Sequence, residues 1–115
     1  MKRYKVEVTI TKEYEVEVDE NIINEDFRKE FEQYMWTLDD EDTQEAFAKA
    51  LAEQSARLGV NEFIEGFGRC AQSKEDADLW NARDYNKDRK CTEGLYIYEA
   101  SEYVESEAEK VESFD

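Results

Sequence analysis

Carboxylates are the side chains with which this sequence could do chemistry. It has 31 Asp and Glu against 15 Lys and Arg, a formal charge of −16, and they fall in rows. Glu13, Glu15, Glu17 and Asp19 recur at every second position. An extended chain projects such a row from one face about 6.6 Å apart, twice the rise per residue. Asp39, Asp40, Glu41, Asp42 and Glu45 form a second cluster. Glu99, Glu102, Glu105, Glu107, Glu109, Glu112 and Asp115, with only Lys110 opposing them, form a third. Acid–base catalysis needs one carboxylate in apolar surroundings that raise its pKa. Glu65, between Ile64 and Gly66, comes nearest, and no nucleophile motif accompanies it. The chain contains no His. That removes the commonest general base and metal ligand, and with them Ser–His, Cys–His and His-ligated zinc chemistry. The expectation is a non-enzymatic protein without a cofactor or metal.

Three other patterns could carry chemistry. Gly66-Phe67-Gly68-Arg69-Cys70-Ala71 fits the lax dinucleotide fingerprint G-x-G-x-x-A, with Glu93 as the later acid. That motif needs a strand before it and an amphipathic helix after it. No apolar stripe follows, so two glycines at a strand irregularity are the better reading. Asp84, Asn86 and Asp88 match the first ligand positions of a calcium loop, but Arg89 stands where Gly is needed and Leu95 where Glu is needed. A solvated turn fits them better. Cys70 and Cys91 are far apart and lack a CxxC partner, which points to two reduced thiols, with a single bridge as the alternative.

The elements that position these residues follow from periodicity. From Tyr4 to Val18 the apolar residues Tyr4, Val6, Val8, Ile10, Tyr14, Val16 and Val18 share one parity. Glu7, Thr9, Thr11, Glu13, Glu15 and Glu17 share the other, which is the period of a half-buried strand. One strand of that length would reach about 50 Å, so the sequence predicts a hairpin with a three-residue loop at Thr11-Lys12-Glu13. It sets Ile10 opposite Tyr14 and Glu7 opposite Glu17. Asn24 is a good N-cap for a helix with the stripe Phe27, Phe31, Tyr34, Met35 and Leu38. Asp42 with Glu45 resembles a capping box for a second helix, which carries Ala46, Phe47, Ala50, Leu51 and Leu58 and stops at Gly59. Residues 62–71 read as a strand, 72–93 as an irregular connection with room for a short helix, and Leu95–Tyr98 as a strand. Beyond Glu99, strand spacing (Tyr96, Tyr98, Ala100) competes with helical spacing (Val104, Ala108, Val111), and a loose acidic tail over 99–115 is the third option. The predicted fold is a single α+β domain over residues 1–115, with an antiparallel sheet of about four strands packed on two helices.

Charge then bounds the partners. A −16 balance excludes direct nucleic-acid binding through phosphate neutralisation and disfavours an anionic membrane. No apolar run suits a spanning helix, and Met1-Lys2-Arg3-Tyr4-Lys5 is not followed by a signal-peptide stretch, so the expected compartment is the cytoplasm. Carboxylate rows on a rigid body are a dilute copy of a phosphate backbone, which carries one charge per roughly 3.4 Å per strand. In size, charge and carboxylate rows the chain resembles the small acidic DNA-mimic inhibitors that phages and mobile elements use against restriction or CRISPR systems. The resemblance spans the whole chain, rests on no shared motif, and implies a stoichiometric inhibitor that occupies the basic groove of a nucleic-acid-binding protein. Glu13, Glu15, Glu17, Asp19, Asp39, Asp40, Asp42, Glu102 and Glu105 are the expected contact residues. The rival expectation is an assembly module that homodimerises through Trp36, Trp80, Tyr96 and Tyr98, its acids serving only solubility.

Overall fold

The computed structural model describes residues 1–39, 41–60, 62–83 and 90–111. Their order is β1 (Arg3–Val18), α1 (Glu25–Tyr34), α2 (Thr43–Leu58), β2 (Phe63–Ile64), β3 (Gly68–Arg69), α3 (Lys74–Arg83) and β4 (Leu95–Val111). The class is α+β, as predicted. The described strands form two two-stranded antiparallel sheets, β1–β4 and β2–β3, rather than one sheet of about four. A third helix, α3, joins the two expected ones.

The predicted N-terminal hairpin is overturned. β1 is one strand of 16 residues, and its partner is the other end of the chain, from Arg3 opposite Val111 to Val18 opposite Leu95. Two physical facts defeat the fold-back. Thr11-Lys12-Glu13 supplies no residue suited to the positive φ that a tight hairpin turn needs, whereas β-branched residues on either side favour continued extension. Nor is the strand too long for the molecule, which extends 63 × 35 × 22 Å. Glu7 therefore faces Glu107, not Glu17. The helical spacing in the C-terminal segment and the loose-tail option also give way, since residues 99–111 are strand.

The helices start where their caps require. Asn24 Oδ1 accepts from the Phe27 N–H at 3.1 Å, and Asp42 Oδ1 accepts from the Glu45 N–H at 2.9 Å. α2 stops at Gly59, whose φ of 96° suits a residue without Cβ. Phe27, Phe31, Phe47 and Phe67 meet mostly edge to face, with Phe31–Phe47 ring centroids 5.1 Å apart. Ile23, Leu38, Leu51, Ile64, Leu95 and Ile97 complete this core, against which Tyr14, Val16 and Val18 of β1 pack. Two members of the predicted stripes, Tyr34 and Leu58, are exposed. Arg28 ties the α1–α2 connection: Nε donates to Glu32 Oε1 at 2.8 Å, and its Nη atoms donate to the Leu38 and Glu41 carbonyls.

The molecule thus has two parts. The helices and the base of the β1–β4 ribbon make a body. From Arg3 to Glu13, paired with Ser101 to Val111, the ribbon leaves that body as an arm with every residue but Lys12 and Val111 exposed. Its length is about 35 Å at roughly 3.4 Å per residue.

A candidate acidic interface

Antiparallel pairing puts opposite residues on the same face, so the register assigns each side chain of the arm. One face carries Tyr4, Val6, Val8, Ile10 and Lys12 of β1 beside Lys110, Ala108, Ser106, Val104 and Glu102 of β4. The other carries Arg3, Lys5, Glu7, Thr9, Thr11 and Glu13 beside Val111, Glu109, Glu107, Glu105, Tyr103 and Ser101, and continues through Glu15 and Glu17. On that second face seven carboxylates, Glu7, Glu13, Glu15, Glu17, Glu105, Glu107 and Glu109, stand against Arg3 and Lys5. The first face, followed to Tyr14 and Glu99, has Lys12 and Lys110 against Glu99 and Glu102, a balance of zero. Lys12 Nζ lies 4.0 Å from Glu99 Oε1.

The register break that makes this possible lies between Glu13 and Tyr14. Ser101 faces Glu13 and Glu99 faces Tyr14, leaving Ala100 as an extra residue in β4. The bulge absorbs one residue, so Val104 and Ala108 of the arm share a face with Leu95 and Ile97 of the base, beside the apolar row of β1. Within the runs Glu13–Glu15–Glu17 and Glu105–Glu107–Glu109 the residues repeat about 6.8 Å apart along the strand, and Glu7 and Glu107 stand about 5 Å apart across the pair. Glu7 opposite Glu107 is a like-charge pair that costs stability. Tyr103 Oη donates to Glu105 Oε1 at 3.0 Å, which helps to hold that carboxylate. A concavity of about 260 Å³ opens between Glu7, Thr9, Glu105, Ser106 and Glu107.

Of the predicted contact residues, Glu13, Glu15, Glu17 and Glu105 come together on this face. Glu102, Asp39 and Asp42 do not join them, and Asp19 follows Glu17 at the base of the ribbon. Glu102 lies on the opposite face, across from Lys12, because residues three apart in a strand, such as Glu102 and Glu105, point to opposite sides. Asp19 closes the turn after β1: its Oδ1 accepts from the Asn21 N–H at 3.0 Å, and its own N–H donates to the Gly94 carbonyl at 2.8 Å. Asp42 is engaged as the α2 cap, and Asp39 is exposed in the α1–α2 connection on the body. Asp40 lies outside the described residues. Glu7, Glu107 and Glu109, which share this face, were not among the expected residues. Strand alternation in Glu105, Glu107 and Glu109 was the available signal, masked by the competing helical spacing.

The other candidates resolve differently. The two glycines of the G-x-G-x-x-A stretch serve the β2–β3 hairpin, whose Glu65-Gly66-Phe67 loop joins Ile64 to Gly68. Gly66 has φ 90°, and a Cβ there would stand 3.0 Å from both Met35 and Phe31, so the glycine is needed for the turn and for close packing. Glu65 is exposed at this turn rather than set in an apolar pocket. The Asp84–Asp88 pattern lies outside the described residues. Both cysteines are free thiols. Burial pushes Cys70 up to about 11, and burial followed by the nearby Asp76 carboxylate raises Cys91. Neither is an activated thiolate. Of the four aromatics in the rival reading, Tyr96 is 7% exposed and packs with Ala71 and Ala77, and Trp36 packs on Phe31 and Phe67. Trp80 lies beneath the Arg69 guanidinium, 5.0 Å from ring centroid to Cζ. Burial thus withdraws Tyr96 from any dimer face, whereas Trp36, Trp80 and Tyr98 remain exposed.

Compared with known proteins, the chain matches no family, no curated protein and no solved structure. Among the described residues no helix is long and apolar enough to cross a membrane.

Proposed function

We propose that the protein is a non-enzymatic acidic ligand, a DNA-mimic type of inhibitor, whose arm occupies the basic groove of a nucleic-acid-binding protein. One observation carries this reading: the arm and its base carry seven carboxylates against two cations on one face, while the other face is balanced. A solubilising coat has no need of that sidedness. A ribbon two strands wide is narrow enough to enter a cleft, and its carboxylates stand on backbone held by a hydrogen-bonded ladder. Binding would release counterions from both surfaces and be steered at long range.

The test starts with proteins captured from the native host at low salt and eluted by a salt gradient. A captured nucleic-acid-binding protein is then assayed with its DNA or RNA as competitor. The expected results are mutual exclusion with the nucleic acid and affinity that falls steeply with salt. Glu7→Gln, Glu105→Gln and Glu107→Gln together keep side-chain shape and remove three charges. They should weaken the complex at least tenfold, while Asp39→Asn on the body leaves it unchanged. A complex that ignores salt, or that tolerates the triple variant, would sink the proposal.

A further inference from the structure

The face of the arm opposite the carboxylates is apolar and uncovered. Val6, Val8, Ile10 and Val104 are each between 55% and 57% exposed, and Tyr4 is 53% exposed. They make an apolar strip about 20 Å long and about 10 Å wide, rimmed by Lys12, Lys110 and Glu102. A two-stranded ribbon without a layer against it is only marginally stable in water.

We infer that a second copy of this chain covers this strip, the two arms packing face to face and antiparallel. The charge pattern selects this occupant. Each chain carries a formal charge of −16, so copies repel except where a surface is neutral. This face is the neutral one. A two-fold axis across the strands, centred on Val8, lays β1 over β1 and β4 over β4 in opposite directions. Val8 then meets Val8 of the second copy, Val6 meets its Ile10, Ala108 meets its Val104, and Lys110 meets its Glu102. No like charges are opposed in this register. Parallel packing is barred, because the body covers this same face from Tyr14 onward and two bodies would collide at one end. In the antiparallel arrangement the strip from Arg3 to Glu13 matches its own reversed image, and each tip ends against the other copy's body.

The inference is independent of the proposed function, and either stands if the other fails. If both hold, the dimer turns its two acidic faces outward on opposite sides of one rod.

Sedimentation of the full chain over a concentration series tests it. The wild type should pass from monomer to dimer. Val6→Thr, Val8→Thr and Ile10→Thr together keep β-branched shape and strand preference but remove apolar surface. That variant should stay monomeric at concentrations where the wild type is dimeric, with an unchanged circular dichroism spectrum. Lys110→Glu and Glu102→Lys should each weaken the dimer several-fold, and the two together should restore it. Within one chain these residues lie about 27 Å apart along the arm, so rescue cannot arise inside a monomer. A wild type that is monomeric throughout, a threonine variant that dimerises normally, or a charge swap that fails to rescue overturns the inference.

Discussion

Cys70 shows how burial, not sequence neighbours, sets the chemistry of a side chain. Its thiol is buried in the core, 3.7 Å from the Phe67 carbonyl oxygen, where a thiolate would lose its hydration. Its pKa therefore rises from 9.0 to about 11. The folded state holds this proton more tightly than the unfolded chain does. The stabilisation is thus fully present below pH 9.0 and is lost as pH climbs through about 11. Two pKa units correspond to an upper limit of about 2–3 kcal/mol. Urea unfolding between these pH values should show the wild type losing stability faster than Cys70→Ala, which starts lower because of the cavity it leaves. Equal slopes for the two proteins would contradict the assignment.

At the scale of an element, the bulge at Ala100 lets β4 carry one extra residue while the ribbon keeps its two faces. Side chains in a strand alternate with period two, so one residue too many in β4 would otherwise turn its apolar set toward the acidic side. Deleting Ala100 leaves Glu99 facing Tyr14 and Ser101 facing Glu13, the pairs already present. The deletion should therefore preserve the cross-strand NMR contact between Ile10 and Val104 and change stability by less than about 1 kcal/mol. Inserting one residue after Val104 is different. It shifts Glu105, Glu107 and Glu109 by one position, exchanges the faces, and should abolish the contacts between Val6 and Ala108. If the deletion scrambled the register as the insertion does, the bulge would have a role beyond counting residues.

For the whole molecule the governing quantity is self-repulsion. A formal charge of −16 on 115 residues opposes compaction, and Glu7 opposite Glu107 concentrates that cost in the arm. Added sodium chloride screens these exposed charges. The melting temperature should rise by several degrees from low to physiological salt, and calorimetry would register it. Hydrogen exchange should locate the largest gain in protection in the arm, since the body is held chiefly by apolar contacts that monovalent salt alters little. A melting temperature indifferent to salt would show that the repulsion is already offset.

Much of this arrangement was legible in the chain because it rests on short-range chemistry. Asn24 and Asp42 begin helices since their side chains reach backbone N–H groups three residues on. Gly59 ends one since it accepts a φ that other residues resist. The alternation from Tyr4 to Val18 declares a strand with an apolar and an acidic side. What alternation does not encode is the partner. Hydrogen bonds of β1 could be met by its own second half or by a segment some ninety residues away, and local spacing is silent between them. Only the folded body, by placing Val18 beside Leu95, brings the two ends of the chain into register. That pairing turned a competing helical pattern into strand, gathered Glu105, Glu107 and Glu109 with Glu7 and Glu13, and sent Glu102 to the other face. Composition made the protein acidic; the long-range ladder made the acidity one-sided, because a face exists only once two strands are joined.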